Sequence, residues 1–299
     1  MKQSWRRFAT AKRSRCCGSI PDQLGVCCGA MTPRQAHQDR VRERFTRTAE
    51  AFASFSLSTR SEEAARLLEL ALPHLPTLQP TAALDVACGP GTFTRALAQH
   101  AARVFGLDLT PALLEQARAA LRQQGLGNVE LVCGDAAALP FAPASFPLAV
   151  CGYSLHHMPD PRRALQQMAR VVGPGGVVAI VDIIVPSGAD PELNNRIERT
   201  RDTSHVRTLT TTELLGLFAW AELEVLAVEP GERPRRFDEW MRVAGWQPDD
   251  AVYQKTRRLM EMDREENLSG FRPRMVVGTG GEELMFTQTS LFVVSRRRP

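Results

Sequence analysis

The stretch ALDVACGPGTFTRAL, residues 83–97, carries an apolar run with one carboxylate, Asp85, into a Gly-Pro-Gly turn and then into residues spaced as one face of a helix. A strand, a glycine turn and a helix start in that order form the place where open α/β sheets receive ligands. The turn lets a ligand approach the backbone, and the helix start offers unpaired N–H groups. Gly89 and Gly91 fit that role. The dinucleotide fingerprint G-x-G-x-x-G needs a third glycine for close helix–strand packing, but Thr94 stands there, and the G-K-[ST] ending of a Walker-type phosphate loop is absent.

Outward from this stretch the same alternation recurs. Residues 103–109 (RVFGLDL), 128–136 (NVELVCGDA), 148–154 (LAVCGYS) and 177–185 (VVAIVDIIV) read as strands two to five. Thr110-Pro111 opens a helix that Gly125 ends, and Asp160-Pro161 opens another that stops at GPGG, residues 173–176. Thr210 with Glu213 forms a capping-box pattern for a helix to about Trp220; residues 223–230 (LEVLAVEP) read as a sixth strand and residues 283–296 as the last. Strands separated by helix-length segments imply right-handed βαβ units. The expected fold is α/β and Rossmann-like, a seven-stranded, mostly parallel sheet with helices on both faces.

Two helices are expected before this core, one from Gln38 to about Phe55 and one capped at Ser61, within a helical cap over residues 31–78. The core then occupies 79–230 and 280–299. Residues 231–279 hold two polar helical stretches and are expected to form a helical insertion covering the site.

The acids decide among ligands. Asp85 lies inside the first strand, Asp108 ends the second and Asp135 ends the third, and all three are expected to face one crevice. Asp108 is placed for the two hydroxyls of a ribose, while a carboxylate near the glycine turn favours a cationic amino group over a pyrophosphate. A nucleoside joined to an amino acid satisfies both, which describes S-adenosylmethionine.

At this point the sequence resembles the class I S-adenosylmethionine-dependent methyltransferases, in particular the group that includes the ubiquinone and menaquinone biosynthesis C-methyltransferases. Four ordered motifs carry the resemblance between about Thr81 and Val185: LDVACGPGTF, GLDLTPALLEQAR, VCGDAAALPF and YSLHHMPDPRRALQQMARVVGPGG. It implies that Gly89 and Gly91 line the methionine part of the cofactor with Asp85 near its ammonium. It further implies that Asp108 binds the ribose, Leu109 packs on adenine, Asp135 and Ala136 read the adenine edge, and Tyr153 flanks the cofactor. Two positions depart from the pattern: Ala87 replaces a frequent glycine, and Pro147 stands where an acid commonly begins the fourth strand. Taken singly, each acid also has a plain structural reading as a local cap or loop carboxylate.

Methyl transfer from a sulfonium needs alignment of the acceptor, exclusion of water and, for some acceptors, a base. His156 and His157 lie in the loop that the resemblance places near the transferred methyl, and a neutral imidazole is a base near neutral pH. His205 and Arg207 fall where the resemblance suggests a lid or acceptor pocket, and Trp240, with Phe237 and Trp246, offers an apolar acceptor wall. Each also has a structural reading, in packing, capping or surface pairing. The expected acceptor is a small molecule, quinone-like, phenolic or otherwise apolar, methylated on oxygen or activated carbon. A binding protein without turnover and an NAD(P)-dependent oxidoreductase are the rival classes.

Composition narrows partners and location. Residues 1–47 hold 11 Lys and Arg against 3 Asp and Glu, leaving 26 against 30 in the rest, so the folded body is mildly acidic and nucleic acid is not an expected partner. No apolar run reaches the roughly 18 residues of a membrane span, so the protein reads as soluble and cytoplasmic. Cys16, Cys17, Cys27 and Cys28 match no common zinc spacing, and no metal is expected. Residues 1–30 are expected to be a disordered or over-extended leader, and Cys88, Cys133 and Cys151 to be buried strand residues.

Overall fold

The computed structural model describes residues 31–77, 79–278 and 281–298. Its centre is β1 (Ala83–Val86), buried at every residue. β1 lies parallel between β2 (Val104–Asp108) and β4 (Phe146–Gly152), with β3 (Val129–Cys133) outside β2 and β5 (Val172–Val185) outside β4. β9 (Gly281–Arg297) runs antiparallel beside β5, and β7 (Leu223–Arg236) closes the edge antiparallel to β9. The order is therefore β3-β2-β1-β4-β5-β9-β7. Two short strands join this seven-stranded path: β6 (Leu209–Thr210) pairs with β5, and β8 (Arg274–Gly278) pairs with β9. The strand order reverses between β1 and β4, and a crevice at that switch is where such sheets bind ligands.

Alternate residues of the strands feed two cores. Leu84, Val86, Phe105 and Leu107 pack with Leu165 and Met168 of α6 (Pro161–Val171) and with Leu214 and Phe218 of α8 (Thr211–Trp220). Ala83, Val104, Leu148 and Val150 face the other way, against Leu67 and Leu68 of α3 (Ser61–Ala71) and Phe93 and Leu97 of α4 (Thr92–Ala98). A sheet covered on both faces needs apolar side chains at every position, which is why these strands read as continuous apolar runs. Asp85 has the parity of Ala83, so its carboxylate points under α4.

The N-terminal region differs from expectation. Three helices precede β1, because the helix expected through Phe55 divides into α1 (Pro33–Arg47) and α2 (Ala49–Thr59). At the break, the Thr48 hydroxyl donates to the Arg44 carbonyl (3.2 Å), a local bond that competes with helix continuation. Thr32 and Gln35 form a capping box that starts α1. Ser61 is not a cap: it is the first residue of α3, its hydroxyl donates back to the Leu57 carbonyl, and Arg60 holds the cap position.

The region expected to be a helical insertion is part strand. α9 (Phe237–Val243) and α10 (Ala251–Met262) are present, but β7 continues to Arg236 and β8 adds a further strand. Pro230 and Pro234 hide this strand from sequence reading; they are tolerated because β7 is an edge strand, where missing N–H groups can face away from the ladder. Phe237, Trp240, Tyr253, Phe271 and Phe286 form a third core beneath the helices. Pro147 is absorbed by a register shift between Phe146 and Leu148 in the β4–β5 pairing. No helix among the described residues is long and apolar enough to cross a membrane. Cys88 and Cys151 are buried free thiols and Cys133 is half-buried. The four N-terminal cysteines and the expected leader lie outside the described residues.

Candidate functional site

The turn after β1 is wound through left-handed backbone at Ala87 (φ 57°), Gly89 (φ 53°) and Gly91 (φ 87°). Gly91 caps α4 without a side-chain bond, and a Cβ there would stand 3.2 Å from the Ala117 Cβ. Ala87 occupies the same region with a side chain, at a cost of about 1–2 kcal/mol for an L-residue. The turn is pinned by Cys88 N–H donating to the Leu107 carbonyl and Gly91 N–H donating to the Cys88 carbonyl, both at 2.9 Å.

Over this turn and the carboxyl ends of β2 and β4 opens a cleft of about 320 Å³. Gly89, Asp108, Leu109, Asp135, Ala136 and Tyr153 line it. Asp108 accepts from Gly89 N–H through Oδ2 and from Thr110 N–H through Oδ1, each at 2.8 Å. Burial raises its pKa, and those two N–H groups oppose the rise. Asp135 accepts from Ala137 N–H (2.8 Å), from Gln38 (2.6 Å) and from Arg34 (2.5 Å). The last two belong to α1, which is also fastened where His37 Nε2 donates to the His157 carbonyl (2.8 Å). α1 thus closes the Asp135 end of the cleft.

Two residues expected at the cofactor do not line the cleft. Gly91 shapes the turn from behind. Asp85, 1% exposed, sits under α4, where the Thr94 hydroxyl donates to its Oδ2 (2.6 Å) and Oδ1 has no partner among the described residues. The expectation that three acids face one crevice is therefore corrected to two, for the reason of strand parity given above. Burial raises the Asp85 carboxyl to about 7; the Asp108 charge adds to the rise and Thr94 works against it. Thr94, the residue that breaks the dinucleotide fingerprint, is the partner of this acid.

A second, smaller cavity of about 40 Å³ adjoins the cleft and shares Phe45, Phe52, Arg60, Tyr153 and His157 with it. His156 and Trp240 also line it. The His156 ring Nδ1 donates to Asp182 Oδ1 (2.6 Å), and Asp182 is buried at the end of β5. The His157 ring Nδ1 lies 3.1 Å from the Ser204 carbonyl, which can only accept, so Nδ1 carries the proton and Nε2 is a bare acceptor. Burial, reinforced by His156, holds the His157 pKa well below the usual histidine range.

The other expected acceptor residues lie elsewhere. His205 is buried 5.5 Å from the His156 ring, its Nε2 donating to Asn195 Oδ1 (3.1 Å), and is not part of the cavity wall. Arg207 is half-exposed and pairs with Glu213 at the surface. Sequence reading missed Asp182, Arg44, Arg60, Asp202 and Arg235 as cavity or dyad residues. Only Asp182 gave a signal, a lone acid interrupting an apolar strand.

A family model described as a methyltransferase domain matches residues 84–180. The uncharacterized methyltransferase YcgJ of Bacillus subtilis is 32% identical over 165 residues, 54% of this chain and 64% of YcgJ. The 2-phytyl-1,4-naphtoquinone methyltransferase of Thermosynechococcus vestitus is 40% identical over 121 residues, 40% of this chain and 53% of that protein. The chain thus spans less than two thirds of the length of either relative. Among solved structures, a candidate methyltransferase from Bacillus halodurans superposes with a TM-score of 0.70 at 26% identity, covering 80% of this chain and all of that one.

Proposed function

We propose, since the chain belongs to the S-adenosylmethionine-dependent methyltransferases, that it moves a methyl group to oxygen or activated carbon of a small aromatic or otherwise apolar molecule. The observation that carries this reading is the second cavity, which shares a wall with the cofactor cleft and is lined by aromatic rings and by His156, itself held by Asp182. The quinone class of acceptor is supported by the naphthoquinone methyltransferase relative.

The donor groups fit the cofactor. A carboxylate offers about four acceptor positions. Asp108 uses two on backbone N–H groups, leaving two for the paired hydroxyls of a ribose; Asp135 uses three, leaving one for the adenine amino group. Leu109 and Ala136 border the same end, and Gly89 and Tyr153 border the methionine end. The unpartnered Oδ1 of Asp85 acts on the ammonium from behind the turn, through its field and not by contact. Bound S-adenosylmethionine supplies a methyl already activated as a sulfonium.

The chain's own work is positioning and proton removal. Phe45, Phe52 and Tyr153 form the shared wall that excludes water and orders the acceptor. His156 takes the acceptor proton at Nε2, since its Nδ1 is engaged by Asp182, and that carboxylate stabilises the imidazolium that results. His157, held neutral, stands at the junction of the two cavities.

The test is incubation of the protein with labelled S-adenosylmethionine and fractionated metabolites, with mass detection of product. With an acceptor in hand, His156→Gln lowers kcat on the order of 10²-fold and leaves cofactor affinity unchanged. Cofactor binding with no turnover on any fraction would establish a binding protein instead.

A further inference from the structure

The second cavity holds charge that its own residues do not balance. Four arginines and two acids line it. Arg44 pairs with Asp202 (2.8 Å), and Arg201 pairs with Glu198 (3.4 Å) while stacking over Trp240 (4.3 Å). Arg60 and Arg235 remain. The Arg60 side chain makes no ion pair or hydrogen bond among the described residues; its guanidinium stacks over Tyr153 (4.1 Å), and its buried Nε has no partner. Arg235, 5% exposed, has only the neutral Gln288 Oε1 at 3.3 and 3.4 Å and the Phe55 ring at 4.8 Å. Of the nearby acids, Glu63 pairs with Arg233 (3.1 Å) and acts on Arg60 and Arg235 by its charge without bonding either, and Asp182 holds His156.

Burial lowers the pKa of both arginines, Arg235 to about 10, so Arg235 is still charged at neutral pH. A buried guanidinium without a directly paired carboxylate is a costly arrangement that an incoming anion relieves. The surrounding walls are flat rings of Phe55, Tyr153 and Trp240, and a guanidinium presents a planar fork that matches a planar carboxylate.

We propose that this small cavity seats the carboxylate of a methyl acceptor at Arg235 and Arg60, with the acceptor's flat apolar body extending into the adjoining cleft. The inference rests on the methyltransferase reading and narrows its acceptor class. Arg60 belongs to the wall shared with the cleft and Arg235 lies beyond it, so the carboxylate points away from the cleft and the atom to be methylated lies on the part of the acceptor nearest His157 and the cofactor cleft.

The experiment uses the full chain saturated with S-adenosylhomocysteine, titrated calorimetrically with cinnamate, with its neutral isostere cinnamamide and with phenyl phosphate. Cinnamate binds on the order of tenfold or more tighter than cinnamamide. Arg235→Gln abolishes that preference, Arg235→Lys retains part of it, and both variants keep the S-adenosylhomocysteine affinity, which also shows that they fold. Equal binding of acid and amide, binding of neither, preference for phenyl phosphate, or an undiminished preference in Arg235→Gln overturns the proposal. Failure of the wild-type chain to bind S-adenosylhomocysteine overturns the methyltransferase reading itself, and this inference with it.

Discussion

Replacing Asp85 by Asn tests the placement of that acid beneath α4. In the folded protein burial raises its pKa to about 7 from an ordinary 3.8. A raised carboxyl pKa means the folded state holds the proton more tightly than the unfolded chain does. Its cost to stability is therefore absent below the unfolded value, grows as pH rises, and is complete above the folded value. Linkage puts the full cost at about 4 kcal/mol, of which about 2 kcal/mol is present at about pH 5 and nearly all at about pH 8. Asn cannot ionise, so it removes this term. It keeps a carbonyl for the Thr94 hydroxyl and leaves an amide N–H without a partner, a penalty of about 1–3 kcal/mol that does not vary with pH. The difference between variant and wild type should therefore shift by about 3 kcal/mol in favour of the variant between about pH 5 and pH 8. Urea unfolding of the cofactor-free protein at both pH values, read from midpoints at constant slope, measures it. A difference that stays the same at both pH values would refute the reasoning, because it would show that Asp85 ionises normally and is reached by water.

Two further substitutions probe the walls of the cleft. Ala87→Gly relieves a left-handed alanine worth about 1–2 kcal/mol and returns part of that gain through the looser unfolded chain, so stability should rise by about 0.5–1 kcal/mol in thermal or urea unfolding. Gly152→Ala drives a methyl to 2.3 Å from Cε2 of the buried Phe93 ring. It should cost about 1–3 kcal/mol of stability and weaken cofactor binding, since both residues line the cleft; calorimetry with S-adenosylhomocysteine reads the second effect.

Much of the cofactor half was legible because its signals are local. Strand, turn and helix follow one another within residues 83–97, and a doubly covered sheet leaves apolar runs that no solvent-facing strand would carry. Asp108 and Asp135 end their strands, and the end of a strand is visible in sequence. Asp85 lies inside its strand as expected, but the alternation that turns its carboxylate under α4 shows only once the two faces of the sheet are assigned. The acceptor half was hidden for another reason. Arg60 sits at a helix break, Arg235 at the end of a proline-containing edge strand and Trp240 in the helix that follows, and only the tertiary fold brings them to one cavity. Asp182 announced itself as a misplaced acid, but its partner His156 lies 26 residues upstream on a different element.

The long β7–β9 ribbon has a consequence for how this scaffold can diversify. Its pairing runs from Leu223–Arg297 at the sheet to Arg236–Met285 beyond it, with one register shift between Val225 and Ala227, and its far end carries Arg235 and Gln288 to the second cavity. The cleft proposed for the cofactor is lined mainly by the loops that follow β1 to β4, away from that edge of the sheet. On the proposed assignment of the two cavities, acceptor choice can be rewritten through a few ribbon positions while the strands around the cofactor cleft keep their sequence, so lineages sharing one donor can drift apart in what they modify.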